Sequence, residues 1–472
     1  MESKEKSNSV NYDEVEIKCP YCFHTFHHDE VGFRVESVSD EDTKLYKQKM
    51  LSGSDKEQKE YKLKLEKAKE FTKEKDEKWH EYWEKMGYVN NAPLYENGDG
   101  YDEYNDARPS ALTGQQDRVF FSYMNDVKKL QLGRDSDGFV SYAEDIRGKI
   151  TYKRVCPNCH NKLPKDYGKN AVKFVAVVGI SGSGKTVMLS QLIDNIEDYA
   201  TNVGGKITFD ESDSAKKFPL KYKVRTNEKL PSGTKEHFSP PIFFQFSKTK
   251  DGMFEKTTIV IYDIAGESCI KAGGLERYGP FVKNSDGIIL LLDPRQISAF
   301  SCADESAEKP TAVLNAMGKA FLLDTSEKCK VPIAVAYSKS DKLRNAGVSI
   351  NENSHIFKSI EYGARRGFML DSYKNVRHEV ETLLQKYSST FYANIKDLFE
   401  NYGFFAFSSL GHDTETKSTS NGNESVLTMN LEPKRLEEPL IWLLYKWNLI
   451  DGISMRDNSK KKKGFFSFFR KK

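Results

Sequence analysis

No stretch of this 472-residue chain is apolar for long enough to span a bilayer; its longest apolar runs are of strand length. It also lacks a secretory signal and any repeat of fixed period, which argues against an exported, membrane-spanning or solenoid protein. Apolar residues are sparse at 38%, low for a compact domain, and this fits exposed charged segments attached to a folded core. Cysteine is scarce as well, at seven. Without a secretory signal these thiols are expected in a reducing cytoplasm, where paired cysteines mean metal more often than disulfide.

Against that background one glycine-rich run stands out. Gly179-Ile-Ser-Gly-Ser-Gly-Lys185-Thr186 follows the apolar stretch Phe174-Val-Ala-Val-Val178 and precedes a helical pattern over 187–196. The spacing G-x-x-x-x-G-K-T between a strand and a helix suits a phosphate cradle, in which backbone N–H groups turn onto phosphate oxygens at a helix N-terminus. Gly179, Ser181, Gly182, Ser183, Gly184, Lys185, Thr186 and Val187 line it, Lys185 reaching the β and γ phosphates and Thr186 offering its hydroxyl to Mg²⁺.

Four further segments bear on the nucleotide. Thr257-Thr-Ile-Val-Ile-Tyr262 ends in Asp263-Ile-Ala-Gly266, where a carboxylate at a strand terminus can hold Mg²⁺ through water and Gly266 can place an N–H near the γ-phosphate. Gly287 to Asp293 reads as a core strand without chemistry of its own. Val331 to Tyr337 runs into Ser338-Lys339-Ser340-Asp341, and the Asp341 carboxylate can accept from both N1–H and the 2-amino group of guanine, a donor pair adenine lacks. Lys339 can lay its stem along the base, and after Phe404 to Phe407 the segment Ser408-Ser409-Leu410 can donate a backbone N–H to the guanine carbonyl.

Over roughly residues 170–450 this series resembles the guanine-nucleotide motifs of the TRAFAC-class GTPases, the Ras-like and translation-factor-like branch of P-loop NTPases. Ser338 departs from the Asn or Thr usual in that family. The resemblance implies GTP/GDP and Mg²⁺ as cofactors and a threonine that senses the γ-phosphate. Thr234 is the candidate and Thr226 its competitor. Glu267 stands where Ras-like proteins carry a water-orienting glutamine, and a carboxylate facing the γ-phosphate implies slow hydrolysis without a partner.

Two short knuckles, Cys19-Pro-Tyr-Cys22 and Cys156-Pro-Asn-Cys159, together supply four thiolates suited to a closed tetrahedral Zn²⁺ site of structural type. His24, His27, His28 and His160 lie near enough to substitute for a cysteine, whereas Cys269, Cys302 and Cys329 read as small apolar residues. The order of knuckles and nucleotide motifs, with the ending Glu438-Pro-Leu-Ile-Trp-Leu-Leu444, resembles prokaryotic proteins that fuse an N-terminal zinc ribbon to a double-GTPase-type domain, and suggests a regulatory, conflict or defence role.

Between the knuckles, residues 42–85 carry Lys and Glu at helical spacing with a sparse apolar stripe that includes Trp79 and Trp83, which predicts solvated helices. Tyr82, Trp83 and Tyr88 form an alternative partner-binding patch, while 87–117 and 414–424 read as irregular polar stretches. The tail from Lys460 to Lys472 holds seven cations and four phenylalanines, so the remainder of a chain of formal charge +3 is net −4. Such a segment suits an anionic membrane surface, with nucleic acid as the rival partner and plain solvation as the third reading.

The sequence therefore predicts an α/β fold: a P-loop NTPase of Ras-like, mainly parallel sheet flanked by helices over 170–450, with zinc-ribbon halves at 17–34 and 150–168. A charged helical insertion occupies 35–149, and tails occupy 1–16 and 451–472. The expected function is a cytoplasmic GTP-hydrolysing switch with an unidentified protein effector, touching the inner membrane face through its tail. The rivals are an ATP-dependent P-loop enzyme, which Asp341 opposes, and a zinc-ribbon adaptor that holds nucleotide without turnover, which Glu267 favours.

Overall fold

The computed structural model describes residues 15–34, 40–71, 77–87, 119–121, 131–144, 150–180, 182–209, 218–219, 222–231, 239–250, 253–265, 274–307, 309–320, 327–348, 350–419 and 422–454. The chain divides into two compact units, residues 1–172 with 210–214 and residues 173–209 with 215–472.

The second unit is built on seven strands: β1 (Ala171–Gly179), β2 (Lys206–Thr208), β3 (Ile242–Lys250), β4 (Met253–Ala265), β5 (Gly287–Leu292), β6 (Ile333–Tyr337) and β7 (Tyr402–Ala406). They lie side by side in the order β2-β3-β4-β1-β5-β6-β7. β1, β5, β6 and β7 pair in parallel, with Val177 opposite Ile289, Ile289 opposite Ala334 and Ala334 opposite Gly403. β2, β3 and β4 form an antiparallel flank. Every residue of β5 and β6 is buried, which is why both read as unbroken apolar runs rather than alternating ones. β1 sits where the strand order reverses, and the crevice beyond the carboxyl ends of strands at such a point is where α/β sheets bind ligands.

Among the described residues this unit also contains the helices α1 (Lys185–Asp194), α2 (Ile196–Asn202), α3 (Gly274–Lys283), α4 (Pro310–Ala320), α5 (Leu370–Tyr387), α6 (Ser389–Leu398) and α7 (Glu438–Lys446). Met188, Leu189, Leu192 and Ile193 of α1 join Val175 and Val177 of β1, Ile289 and Leu291 of β5 and Leu440 to Leu444 of α7 in one core. Each such side chain contributes about 1.5–3 kcal/mol by its burial. In α5 the buried residues Tyr373, Val376, Val380, Leu383 and Leu384 recur at helical spacing on one face. α7 is buried all round from Glu438 to Leu444, with Pro439 in its first turn where a missing N–H costs nothing.

Two polar stretches are more ordered than their composition suggests. Residues 415–426 form a hairpin, Glu415–Thr419 paired with Gly422–Val426, in place of an irregular loop. Its backbone bonds need no apolar alternation, so pattern alone cannot reveal it. Gly452–Ile453, at the start of the expected tail, pairs in parallel with Phe368–Met369. The cationic segment 460–472 lies outside the described residues. Among the described residues no helix is long and apolar enough to cross a membrane.

In the first unit the strands Glu16–Lys18 and Thr25–His27 flank the first knuckle as an antiparallel pair. Gly32–Arg34 lies between Val119–Phe121 and Arg154–Val155, and a second sheet comprises Gln131–Arg134, Val140–Glu144 and Ile150–Thr151. The segment between the knuckles thus supplies strands as well as the helices Asp40–Ser52, Asp55–Phe71 and Glu77–Lys85. The last of these is no exposed patch: Trp79, Tyr82 and Trp83 are 3%, 8% and 1% exposed. Three aromatic rings spaced along one helical face bury more apolar area than the charged face can hold in water. Tyr88 lies outside the described residues.

Candidate functional site

The loop from β1 to α1 is shaped by its glycines. Gly182 and Gly184 have φ of +71° and +89°, a region that side chains strain. A Cβ at Gly179 would meet Ser183 Oγ at 2.7 Å and Leu291 Cβ at 3.0 Å, so the turn has no room for one. Lys185, at the first position of α1 and 5% exposed, folds its ammonium into the loop, Nζ donating to Gly179 O at 2.6 Å and Ile180 O at 3.0 Å. Thr186 is buried beside it in sequence, and Asp263 is buried near the end of β4, the neighbour of β1.

β6 leads into the Ser338–Asp341 turn. The Ser338 N–H and Oγ both donate to Leu292 O, at 2.9 and 3.2 Å, so this serine ties the end of β6 to the end of β5. Ser340 N donates to Phe407 O at 2.9 Å. Lys339 has φ +54°, which aims its side chain at the phosphate loop: Nζ donates to Gly182 O and, at 2.8 Å, to Asp293 Oδ2. Asp341 accepts from Ser408 Oγ, which accepts in turn from Gly411 N at 2.9 Å. Ser409 and Leu410 continue this loop, and Leu410 O accepts from Glu432 N. The structure therefore joins Asp341 to Ser408, and Lys339 to the phosphate loop.

Two residues at this junction escaped the sequence reading. Asp293, fully buried at the end of the apolar β5 run, accepts from Arg295 N at 3.0 Å, Arg295 Nε at 3.1 Å and Arg295 Nη2 at 2.8 Å as well as from Lys339. Arg295 Nη2 also donates to Gly182 O at 3.0 Å. Asp293, Arg295 and Lys339 thus brace the loop through one carbonyl. The available signal was an acidic and a basic residue, Asp293-Pro-Arg295, placed directly after a buried strand beside β1.

Charge follows geometry here. Burial would raise the Asp293 carboxyl, but hydrogen bonds and charge from Arg295 and Lys339 hold it below the usual carboxylate range. Its bonds raise Arg295 further, while burial lowers Lys339. Asp341 goes the other way: burial raises its carboxyl, and the Ser408 hydrogen bond only partly opposes this.

Ser181, Gly266, Glu267 and Thr234 lie outside the described residues. Thr226, the alternative switch threonine, donates from Oγ1 to Met429 O at 3.3 Å, and Asn227 N donates to Leu427 O. These bonds hold it against the segment that follows the hairpin.

In the first unit the two knuckles are one turn built twice. Phe23 N donates to Cys19 O and His160 N to Cys156 O, while Cys19 N and Cys156 N donate back to His24 O and Asn161 O. Phe23 and His160 both have positive φ, +58° and +55°. This brings Cys19, Cys22, Cys156 and Cys159 together, their sulfurs within 4.8 Å of one another. The Cys19–Cys159 and Cys22–Cys156 sulfurs are 3.7 Å apart, close to the edge of about 3.8 Å expected of a tetrahedron with metal–sulfur bonds of about 2.3 Å.

N–H donors surround the cluster: Tyr21 N to Cys19 and Asn158 N to Cys156, each at 3.4 Å, and Asn161 Nδ2 to Cys159 at 3.3 Å. Burial pushes the Cys19 and Cys159 thiols up, whereas bonds from Cys156 and Cys159 pull Cys22 down. Four cysteine sulfurs so close together suit a metal cation, and these residues could hold one. The group contains no histidine, so His24, His27, His28 and His160 are not brought into it. Trp83 Nε1 donates to Asn161 Oδ1 at 2.9 Å and Tyr82 Oη to Tyr21 O at 3.3 Å, which fixes the aromatic helix against both knuckles. Cys329 is buried as an apolar residue, Cys302 is partly exposed, and Cys269 lies outside the described residues.

A search of curated proteins returns no match to the chain. Residues 173–391 match the family model described as Double-GTPase 2. The match takes in the phosphate loop, Asp263, Asp293 and the Ser338–Asp341 turn and stops before Ser408, so over this span the chain is similar to a double-GTPase domain, on a mostly parallel α/β sheet of the P-loop NTPase kind.

Proposed function

We propose that the second unit binds a guanine nucleotide with Mg²⁺ and hydrolyses GTP to GDP as a cytoplasmic nucleotide-dependent switch. The observation that supports this best is the Lys339 bridge, which couples a base-reading turn to the phosphate loop through the Gly182 carbonyl. Asp341, lowered into a half-buried loop and paired to Ser408, offers an acceptor to the two N–H donors of guanine. Lys185 exchanges its loop carbonyls for the β and γ phosphates, and Thr186 and Asp263 would hold Mg²⁺, which when bound neutralises charge between those phosphates. Water then attacks the γ-phosphorus in line, and the bond to the bridging oxygen of GDP breaks. Thr234 is the candidate residue for sensing that phosphate, and Glu267 in place of glutamine makes turnover slow without a partner.

Binding of GTP, GDP and ATP in Mg²⁺ tests the reading, with Asp341→Asn as the decisive variant. Two hydrogen bonds to a charged acceptor correspond to about 3–6 kcal/mol, so guanine affinity should fall by about a hundredfold or more. The variant should gain affinity for xanthine nucleotides, whose C2 carbonyl accepts from the new amide. Preference for ATP in the native protein would overturn the proposal.

The four-cysteine cluster is proposed to hold a structural Zn²⁺, since a closed sulfur shell leaves no position for substrate. The 460–472 segment is proposed to bind the inner membrane face, each cation contributing about 1 kcal/mol at an anionic surface. Equal binding to anionic vesicles by the full chain and one ending at Ser459 would refute that.

A further inference from the structure

Arg154 stands at the start of the second knuckle strand and is 2% exposed, yet only part of its guanidinium is used. Nη1 donates to Tyr167 O at 3.0 Å. One face stacks on the Phe139 ring, 4.6 Å from its centroid, and His28 stacks on that ring in turn, at 5.4 Å with the planes 10° apart. Nε and Nη2, the remaining fork, have no hydrogen-bond partner although both are buried. Arg154 also lines a cavity of about 130 Å³, together with Asp135, Ser141, Tyr152, Lys165 and Asp166.

A buried guanidinium with two idle donors is costly unless an anion completes it. Asp166 and Asp135 both lie close enough to act on its charge, but neither bonds to this fork; Asp135 is already committed, Oδ2 accepting from Lys169 Nζ at 2.6 Å and Oδ1 from the N–H groups of Asp137 and Phe139 at 2.9 and 3.1 Å. The geometry points to a carboxylate-binding pocket in the first unit. We propose that the Nε–Nη2 edge of Arg154 grips the two oxygens of a monoanionic carboxylate, from a small acid or from a peptide. Such an edge presents two parallel N–H groups that match a carboxylate bidentately. Ser141, Tyr152 and Lys165 supply further donors around the cavity, while Asp135 and Asp166 on the same wall repel a dianion such as phosphate more than a single charge. Tyr152 is 63% exposed, so this side of the cavity lies at the surface.

The test uses the full chain, zinc-loaded and labelled with ¹⁵N-arginine, with the Arg154 Nε–H resonance as readout. Acetate, a short peptide with a free C-terminal carboxylate, the same peptide amidated, and inorganic phosphate are titrated separately. Acetate should move the resonance saturably. If the ligand comes from a peptide, the free-acid peptide binds more tightly than acetate and the amidated one does not bind; if it is a small acid, acetate binds at least as well. Tyr152→Phe and Lys165→Met, both at exposed positions where folding is not at risk, should each weaken acetate by about threefold to tenfold. Arg154→Lys identifies the resonance by its loss. A resonance that none of the probes moves, or one that phosphate moves at lower concentration than acetate, would overturn the proposal.

Discussion

Four sulfurs converge in the first unit and three cations in the second, and only the cations have a buried carboxylate among them. Around the phosphate loop, Lys185 rests on two carbonyls, and Arg295 and Lys339 share the buried Asp293 carboxylate. Around Cys19, Cys22, Cys156 and Cys159 the recorded donors are neutral N–H groups, which soften negative charge without cancelling it. The cluster at the phosphate loop is therefore preorganised by its own residues, whereas the sulfur cluster is the one proposed to need an added cation. The two should fail differently.

The largest difference is expected on metal removal. Structural Zn²⁺ in small thiolate sites is worth about 10–16 kcal/mol, more than a small sheet and three aromatic rings can replace. A chelator, or Cys159→Ser, should abolish the near-ultraviolet circular dichroism contributed by the Tyr21, Trp79, Tyr82 and Trp83 ring cluster. Guanine-nucleotide binding by the same full-length sample should persist. An unchanged aromatic signal in metal-free protein would remove the contrast, because the knuckles would then stand without a cation.

A smaller effect should follow from disturbing the balanced cluster. Asp293→Asn leaves Arg295 and Lys339 facing each other without their shared anion, and both contact the Gly182 carbonyl. The loss of one charge-assisted partner corresponds to about 1.5–3 kcal/mol, so nucleotide affinity should fall by about tenfold or more while the far-ultraviolet spectrum stays native. Arg295→Met should fall less, since Lys339 then keeps Asp293 to itself. Affinity unchanged in both variants would show that the loop holds its shape without this bracing.

How far the sequence revealed these sites depends on what kind of pattern each one uses. β1, β4, β5, β6 and β7 were visible because strands buried on both faces need uninterrupted apolar runs. The glycine loop and both knuckles were visible because their chemistry depends on local spacing. β2 is three residues long at a sheet edge, and the strands Glu415–Thr419 and Gly422–Val426 are almost wholly polar in sequence, so neither leaves a periodic trace. Asp293 and Arg295 were missed for another reason: their role exists only once β6 brings Lys339 back beside β5, 46 residues later. The partner of Trp83 likewise lies far off in sequence, Asn161 being 78 residues away, so the helical face gives the buried side of that helix but not what covers it.

The finest contrast lies within the proposed nucleotide site, between two aspartates with opposite shifts. Asp293 is held below the usual range, so its contribution to stability is complete above the unfolded carboxylate value and is lost only as pH falls through the still lower folded value. Asp341 is raised by burial, with Asp413 adding like charge against the opposing Ser408 bond and Lys342 charge. It must be ionised to accept from guanine, so affinity is full above its raised value and declines as pH drops through it, before an ordinary carboxylate would titrate. Acid should therefore weaken GDP binding while the bracing at Asp293 is still intact. Affinity measured down a pH series, beside circular dichroism on the same samples, should show binding fall first. Asp341→Asn, tested with a xanthine nucleotide, should lack that acid limb. If native and variant proteins lose binding together with the fold, the early decline belongs to unfolding and not to the Asp341 carboxylate.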